Sequence, residues 1–275
     1  MPSLYKEQPI GVFDSGFGGL TVLKSIARTL PHEDIVYLGD TARVPYGTRS
    51  ARTVMRYAQS CARFLSAQNI KCLVVACNTV SAVALDVLSV SMDVPVLGVI
   101  RPGANAAVQA SKTGRIGVVA TAGTIASNAY VRAIAEQDTR AEVFSYAAPL
   151  WVPLVEEGWI HGEVPELSIQ RYLAPMLAHH MDVLLLGCTH YPVLRPEIER
   201  YLASMDYSIP VIDAGNPTAQ DLKTLLETRG LMREPKSRGS VLVQVTDMST
   251  QFEELMRRFV GETLHINSVK QVDLT

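Results

Sequence analysis

Short runs of branched apolar residues punctuate the chain at nearly regular intervals. They read IGVFD (10–14), DIVYLG (34–39), CLVVA (72–76), VPVLGV (94–99), RIGVVA (115–120), AEVFSY (141–146), DVLLLG (182–187), IPVID (209–213) and SVLVQV (240–245). A further run, TLHINSV (263–269), has the character of an edge strand. The segments between them carry helical periodicity, as in LTVLKSIARTL (20–30) and RTVMRYAQSCARFLSAQ (52–68). Strands that alternate with helices predict parallel sheets, and nearly unbroken apolar strands predict sheets covered on both faces.

The pattern repeats along the chain. IGVFDSG at 10 resembles IGVVATAG at 116, CLVVACNT at 72 resembles VLLLGCTH at 183, and VPVLGV at 94 resembles IPVIDAG at 209. The spacing of the matched segments grows slowly, as loop insertions would make it. The expected fold is α/β: two similar domains with mainly parallel sheets, related by a pseudo-two-fold axis, with the active site in the cleft between them. Residues 1–98 together with 209–275 are expected to form the first domain, and residues 99–208 the second.

Composition narrows the function classes. The chain has 275 residues, 48% of them hydrophobic, which is ample for a sizeable core. A formal charge of -2 gives no general pull toward nucleic acid or an anionic membrane. The longest uncharged apolar stretch, from Cys72 to Leu85, is interrupted by Asn78, Thr79 and Ser81 and is short for a membrane span. MPSLYKEQP at the start has no apolar core of a secretory signal, so a cytoplasmic location is expected. Four cysteines, without CxxC or HExxH, predict neither a disulfide framework nor a metal site. No lysine sits in a recognisable Schiff-base context, and GFGG (16–19) fails the dinucleotide pattern because Thr21 stands where its third glycine belongs. The chemistry is therefore expected to need no cofactor.

Two cysteines fall at one repeated position. Cys77 and Cys188 each follow a strand, where open α/β sheets bind ligands. Each is expected to precede a helix start, whose unpaired N–H groups favour an anion and so suit a thiolate. Two thiols facing one cleft supply what inversion of a stereocentre needs: one group takes a proton from one face of a carbon while the other delivers one to the opposite face. Cys61 and Cys72 read as ordinary buried cysteines. Asp14 ends the first strand, where it either accepts a hydrogen bond from a substrate ammonium, orients a neighbouring thiol, or simply caps a helix. His190, two residues beyond Cys188, either tunes that thiol or packs as a buried histidine. Ser15, Asn78, Thr79 and Thr189 offer hydroxyl, amide and backbone donors suited to carboxylates. Gly47, in the loop VPYG, lets backbone N–H groups approach a ligand, or forms a plain turn. His32, His161, His179, His180 and His265 have no partner pattern and read as surface or structural residues.

The segments IGVFDSGFGGLTVL (10–23), GDTARVPYG (39–47), ACNT (76–79) and GCTHYP (187–192) together resemble the glutamate racemases of the aspartate/glutamate racemase superfamily, over nearly the whole chain. The resemblance implies cofactor-independent racemisation of L-glutamate to D-glutamate, supplying D-glutamate for peptidoglycan. It implies that Cys77 and Cys188 are the catalytic acid/bases, assisted by Asp14 and His190. It also implies that Asp14, Ser15, Tyr46, Gly47, Asn78, Thr79, Thr189 and His190 line the substrate site, with Thr121 and Thr124 at the side-chain carboxylate. Glu156 is either an acid behind Cys188 or a solvated charge. IDAGNP (212–217) departs from the IDSG common in the family, at a position read as scaffold.

The alternatives are racemisation of aspartate or another amino acid, a thiol amidase using Cys188 and His190 with Cys77 structural, and a secondary interaction with a nucleic-acid enzyme. The last has no support in the charge. A small-molecule substrate is expected, with neither nucleic acid nor membrane as partner, and a homodimer is compatible with the sequence. The short segment before Ile10 leads to the expectation that no activator is strictly required.

Overall fold

The computed structural model describes residues 5–235, 237–250, 252–261 and 264–274. The described residues contain the strands β1 (Ile10–Asp14), β2 (Ile35–Gly39), β3 (Cys72–Val75), β4 (Val96–Gly98), β5 (Arg115–Ala120), β6 (Glu142–Ala147), β7 (Val183–Gly187), β8 (Val211–Asp213), β9 (Val241–Val245) and β10 (Ser268–Gln271). The first helices are α1 (Leu20–Thr29), α2 (Ala51–Ser66), α3 (Asn78–Val83), α4 (Leu85–Ser91), α5 (Ile100–Ala110) and α6 (Ala122–Ala126). After them come α7 (Ala129–Ala135), α8 (Trp151–Glu156), α9 (Glu163–Leu177), α10 (Arg195–Ser204), α11 (Gly215–Thr228) and α12 (Phe252–Val260).

Two sheets form, and every paired strand is parallel. The first has the order β10-β9-β2-β1-β3-β4 and the second β6-β5-β7-β8. The segment β2-β1-β3-β4 corresponds strand for strand to β6-β5-β7-β8, which is the repeat seen in the sequence. The expected edge strand exists as β10, and Thr263 of that stretch lies outside the described residues. The interior strands β1, β2, β3 and β7 are buried along their whole length, as continuous apolar runs require.

One boundary differs from expectation. Residues 211–213 were assigned to the first domain, but β8 pairs with β7, Leu184 opposite Val211. The cause is the repeat itself: IPVID is the counterpart of β4 and takes the equivalent edge beside β7. The chain returns to the first sheet only with β9, which pairs with β2.

Helices weld the two sheets together. α11 packs against both α1 and α5, and α12 packs against α1. One apolar cluster runs across the seam, including Ile10 and Val12 of β1, Leu184 and Leu186 of β7, Trp151 and Phe259. Full burial of each such side chain contributes roughly 1.5–3 kcal/mol. At the amino end of the first sheet, Lys71 and Glu33 form a fully buried ion pair. Lys71 Nζ also donates to the carbonyls of Lys6 (2.8 Å) and Leu231 (3.0 Å), so the buried charge is well satisfied.

The site position follows from the strand order. β1 and β3 lie side by side, yet β1 leads to β2 on one flank and β3 to β4 on the other. Connections that diverge in this way open a crevice at the carboxyl ends of the two strands. β5 and β7 repeat the arrangement. The residues just past these four ends include Ser15, Cys77, Thr121 and Cys188.

Candidate active site

A cavity of about 380 Å³ lies between the carboxyl ends of the sheets, within the ~300–1,000 Å³ typical of small-molecule sites. Cys77 and Cys188, 5% and 6% exposed, both line it. Ser15, Tyr46, Gly47, Asn78, Thr79, Thr121, Glu156, Thr189 and His190 line it with them. Asp14 and Thr124 do not. Both are buried, and Thr124 Oγ1 lies 3.0 Å from the Oγ1 of Thr121, which does line the cavity.

The two thiols sit in different surroundings. Cys77 caps α3, and its Sγ donates to Ser15 Oγ at 3.3 Å. Burial, followed by the charge of Asp14, pushes its thiol up to about 12. The helix start suits a thiolate, but α3 has only six residues and its pull is small beside burial.

Cys188 is followed by a 3-10 turn, Tyr191–Leu194, and α10 begins only at Arg195. Its distinctive neighbour is His190, whose Nδ1 lies 3.9 Å from Cys188 Sγ. His190 Nε2 lies 2.8 Å from Glu156 Oε1. Burial opposes the imidazolium, but the bonds to Cys188 and Glu156 outweigh it and raise the pKa of His190 to about 10. A protonated imidazole, held by a carboxylate, therefore faces Cys188. Phe259 packs its ring edge-on against His190, with centroids 5.1 Å apart.

Asp14 is no helix cap, since α1 starts at Leu20 behind Gly19. Its Oδ2 accepts from the Gly16 N–H at 2.9 Å, and its Oδ1 is buried without a hydrogen-bond partner. Burial raises its pKa against the opposing pull of His190 and backbone N–H groups.

The loop after β1 needs glycine at Gly18, where it meets the other domain. A Cβ on Gly18 would lie 2.2 Å from Thr189 Oγ1 and 2.4 Å from His190 Nδ1. The turn after β1 thus meets the turn after β7 backbone to side chain, and Thr21 Oγ1 donates to the Thr189 carbonyl at 3.1 Å. On the other side, Thr79 Oγ1 lies 2.9 Å from Thr121 Oγ1 and 3.4 Å from Thr124 Oγ1, joining the domains through hydroxyls. Thr121 also caps α6, accepting from the Thr124 N–H. The Tyr46 hydroxyl is committed to buried Asp40, which Arg43 pairs with at 2.7 Å. Gly47 meets the other domain as well as the cavity: its carbonyl accepts from the Gly123 N–H at 3.0 Å.

Sequence reasoning missed the apolar wall made by Val44, Pro45, Ala122, Pro149, Val152 and Pro153, and the hydroxyl of Thr48. The pair of prolines in PLWVPLVEEG was its one local signal. Among the described residues, no group of three His, Cys, Asp or Glu side chains converges as metal ligands.

The sequence matches the family described as Asp/Glu/Hydantoin racemase over residues 10–222. The chain belongs to that family. Within it, the chain is 46% identical over 263 residues to a glutamate racemase of Aquifex aeolicus, covering 96% of this chain and 98% of the relative. Its structure is similar to that of a glutamate racemase from Francisella tularensis in complex with D-glutamate, with a TM-score of 0.90, 35% identity and 98% of each chain covered. A glutamate racemase from Thermus thermophilus in complex with beta-chloro-D-alanine is also similar, with a TM-score of 0.86, 40% identity and 98% of each chain covered. The resemblance carried by the four sequence motifs is thereby borne out, and the racemase family has its two-domain α/β fold in this chain. Among the described residues, no helix is long and apolar enough to cross a membrane.

Proposed function

We propose that this protein is a cofactor-independent glutamate racemase in which Cys77 and Cys188 work as a pair of acid/bases on opposite faces of the α-carbon. The observation that carries the reading is the convergence of two cysteines, from equivalent strands of two domains, on one cavity of metabolite size. Relatives over nearly the full length are glutamate racemases, one of them holding D-glutamate, which supports glutamate as substrate. The product is D-glutamate for peptidoglycan, and the reaction belongs in the cytoplasm.

The roles follow from the surroundings. The Cys77 thiol holds its proton and stands ready to donate it to one face of the substrate. Cys188, beside the His190–Glu156 pair, takes the α-proton from the other face, and the roles exchange in the reverse direction. The imidazolium balances the negative charge that Cys188 carries while it is the base. Ser15, Asn78, Thr79, Thr121 and Thr189 bind the two substrate carboxylates, with Thr124 holding Thr79 and Thr121 in place. Asp14, buried next to Ser15 in the chain, attracts the ammonium through its field. Acid–base groups of this kind contribute ~10²–10⁴-fold each.

The decisive measurement is the optical activity of L-glutamate incubated with pure protein and no additions. The signal should decay to zero, while L-aspartate should keep its rotation. Decay with aspartate alone would move the assignment to the neighbouring substrate class. Replacement of either cysteine by Ser should abolish racemisation. An amidase using Cys188 alone leaves Cys77 without a role, and Cys77→Ala separates the two, since an amidase would survive it.

A further inference from the structure

The His190–Glu156 pair is held from outside its own domain. Glu156 is the last residue of α8, in whose closing turn the Trp159 N–H donates to the Leu154 carbonyl at 2.8 Å and the Gly158 N–H to the Val155 carbonyl at 3.2 Å. Arg258, on α12, reaches this end across the seam. Its Nη1 donates to the carbonyls of Val155 at 3.0 Å and Glu156 at 2.6 Å, and Glu254 of its own helix anchors Nη2 at 2.7 Å. Room for the guanidinium comes from Gly158, which adopts a φ of +78° and where a Cβ would lie 2.5 Å from Arg258 Nη2. The next residue, Phe259, presses on the His190 ring. Two successive side chains of α12 therefore hold both partners of Cys188: one fixes the backbone that carries Glu156, the other fixes the imidazole.

We propose that Arg258 is a positioning residue for the proton transfer at Cys188: it fixes the end of α8 so that Glu156 stays on His190 and His190 stays beside the sulfur. This rests on the two-thiol reading above. Arg258 itself bonds the end of α8 and its own helix, not the surroundings of Cys77, whose side-chain partner Ser15 belongs to its own domain. Its influence is therefore one-sided.

Racemisation rates alone cannot display that bias. The equilibrium between enantiomers is balanced, so kcat/KM in the two directions falls together whichever thiol is impaired. An irreversible one-base reaction can display it. With glutamate carrying chloride on Cβ, removal of the α-proton by one thiolate forms the Cα–Cβ double bond as chloride leaves, and the resulting enamine hydrolyses to 2-oxoglutarate and ammonia. Each enantiomer depends on one thiol. Cys77→Ser and Cys188→Ser identify which, and if those variants do not show opposite preferences, the two-thiol reading itself fails.

Given that calibration, Arg258→Met should slow elimination from the Cys188-dependent enantiomer by roughly 10- to 100-fold, as ångström-scale misplacement of a catalytic group does, and leave the other within about twofold. Arg258→Lys should restore part of the loss. With substrates deuterated at Cα, the isotope effect on racemisation should rise for the Cys188-dependent enantiomer and fall for its mirror image. Equal slowing of both eliminations in Arg258→Met and Arg258→Lys, or no slowing of either, overturns the proposal, because the residue is then a general support or no support at all.

Discussion

Tyr130 donates a 2.6 Å hydrogen bond to Oδ1 of Asn78, tying the second domain to the residue next to Cys77. Both side chains are buried, so the bond fixes which way the Asn78 amide points. Tyr130→Phe leaves Oδ1 buried and unpaired, at a cost of about 1–3 kcal/mol. The melting temperature should fall by roughly 2–4 °C for each kcal/mol lost, and KM for glutamate should rise more than kcat falls. Thermal unfolding and steady-state kinetics check both, and wild-type values in each would show the bond to be dispensable.

Gly18 is where the two turns come closest. Gly18→Ala puts a methyl group into the space of Thr189 and His190, so kcat/KM should drop by about 100-fold, as expected when a catalytic constellation shifts by an ångström.

The positions of the two cysteines were legible because a strand followed by a short turn is a local pattern and the chain writes it twice. Cys61 and Cys72, inside elements, line no part of the cavity. Other features depend on direction in space. The sequence places Asp14 and Ser15 at the same strand end, but alternation of side chains sends Ser15 to the cavity and Asp14 into the interior. Pro149, Val152 and Pro153 carry no chemical label that separates a pocket wall from a core. The sequence leaves Glu156 as either an acid behind Cys188 or a solvated charge, and folding brings it to His190 across 34 positions. The place of β8 is not legible locally, because IPVID matches β4 in pattern but its sheet is set by pairing with β7, and only β9 returns to β2.

The raised pKa of Cys77 has a chemical readout. At pH 8 its thiolate fraction is small, so alkylation by iodoacetamide should be slow in the free enzyme. The rate should climb about tenfold per pH unit through the mildly alkaline range without levelling near ~8.5, the value of an unperturbed thiol. Mass spectrometry of the peptide carrying Cys77 follows it, and a plateau near pH 8.5 would contradict the burial argument.

His190 makes stability depend on pH. Its proton is held more tightly in the folded protein, where the pKa is about 10, than in the unfolded chain at ~6.5. The contribution is complete below the unfolded value, declines above it, and is gone once pH passes the folded value. Glu156→Gln removes one of the two bonds that hold the proton. Its melting temperature should fall furthest below wild type near pH 6, with the gap closing toward pH 10. A gap that widens with pH would reverse the assignment.

β9 and β10 are synthesised after every strand of the second sheet, yet β9 bonds to β2, one of the earliest strands made. A nascent chain can therefore finish its second sheet while the first still waits with a bare edge. Phe259 and Arg258, between those late strands, reach His190 and the end of α8 only at that closing step. Until then the nascent chain lacks part of its catalytic surroundings and leaves β2 as an unpaired edge, so a partly made polypeptide is incomplete at the site and prone to pair with its neighbours.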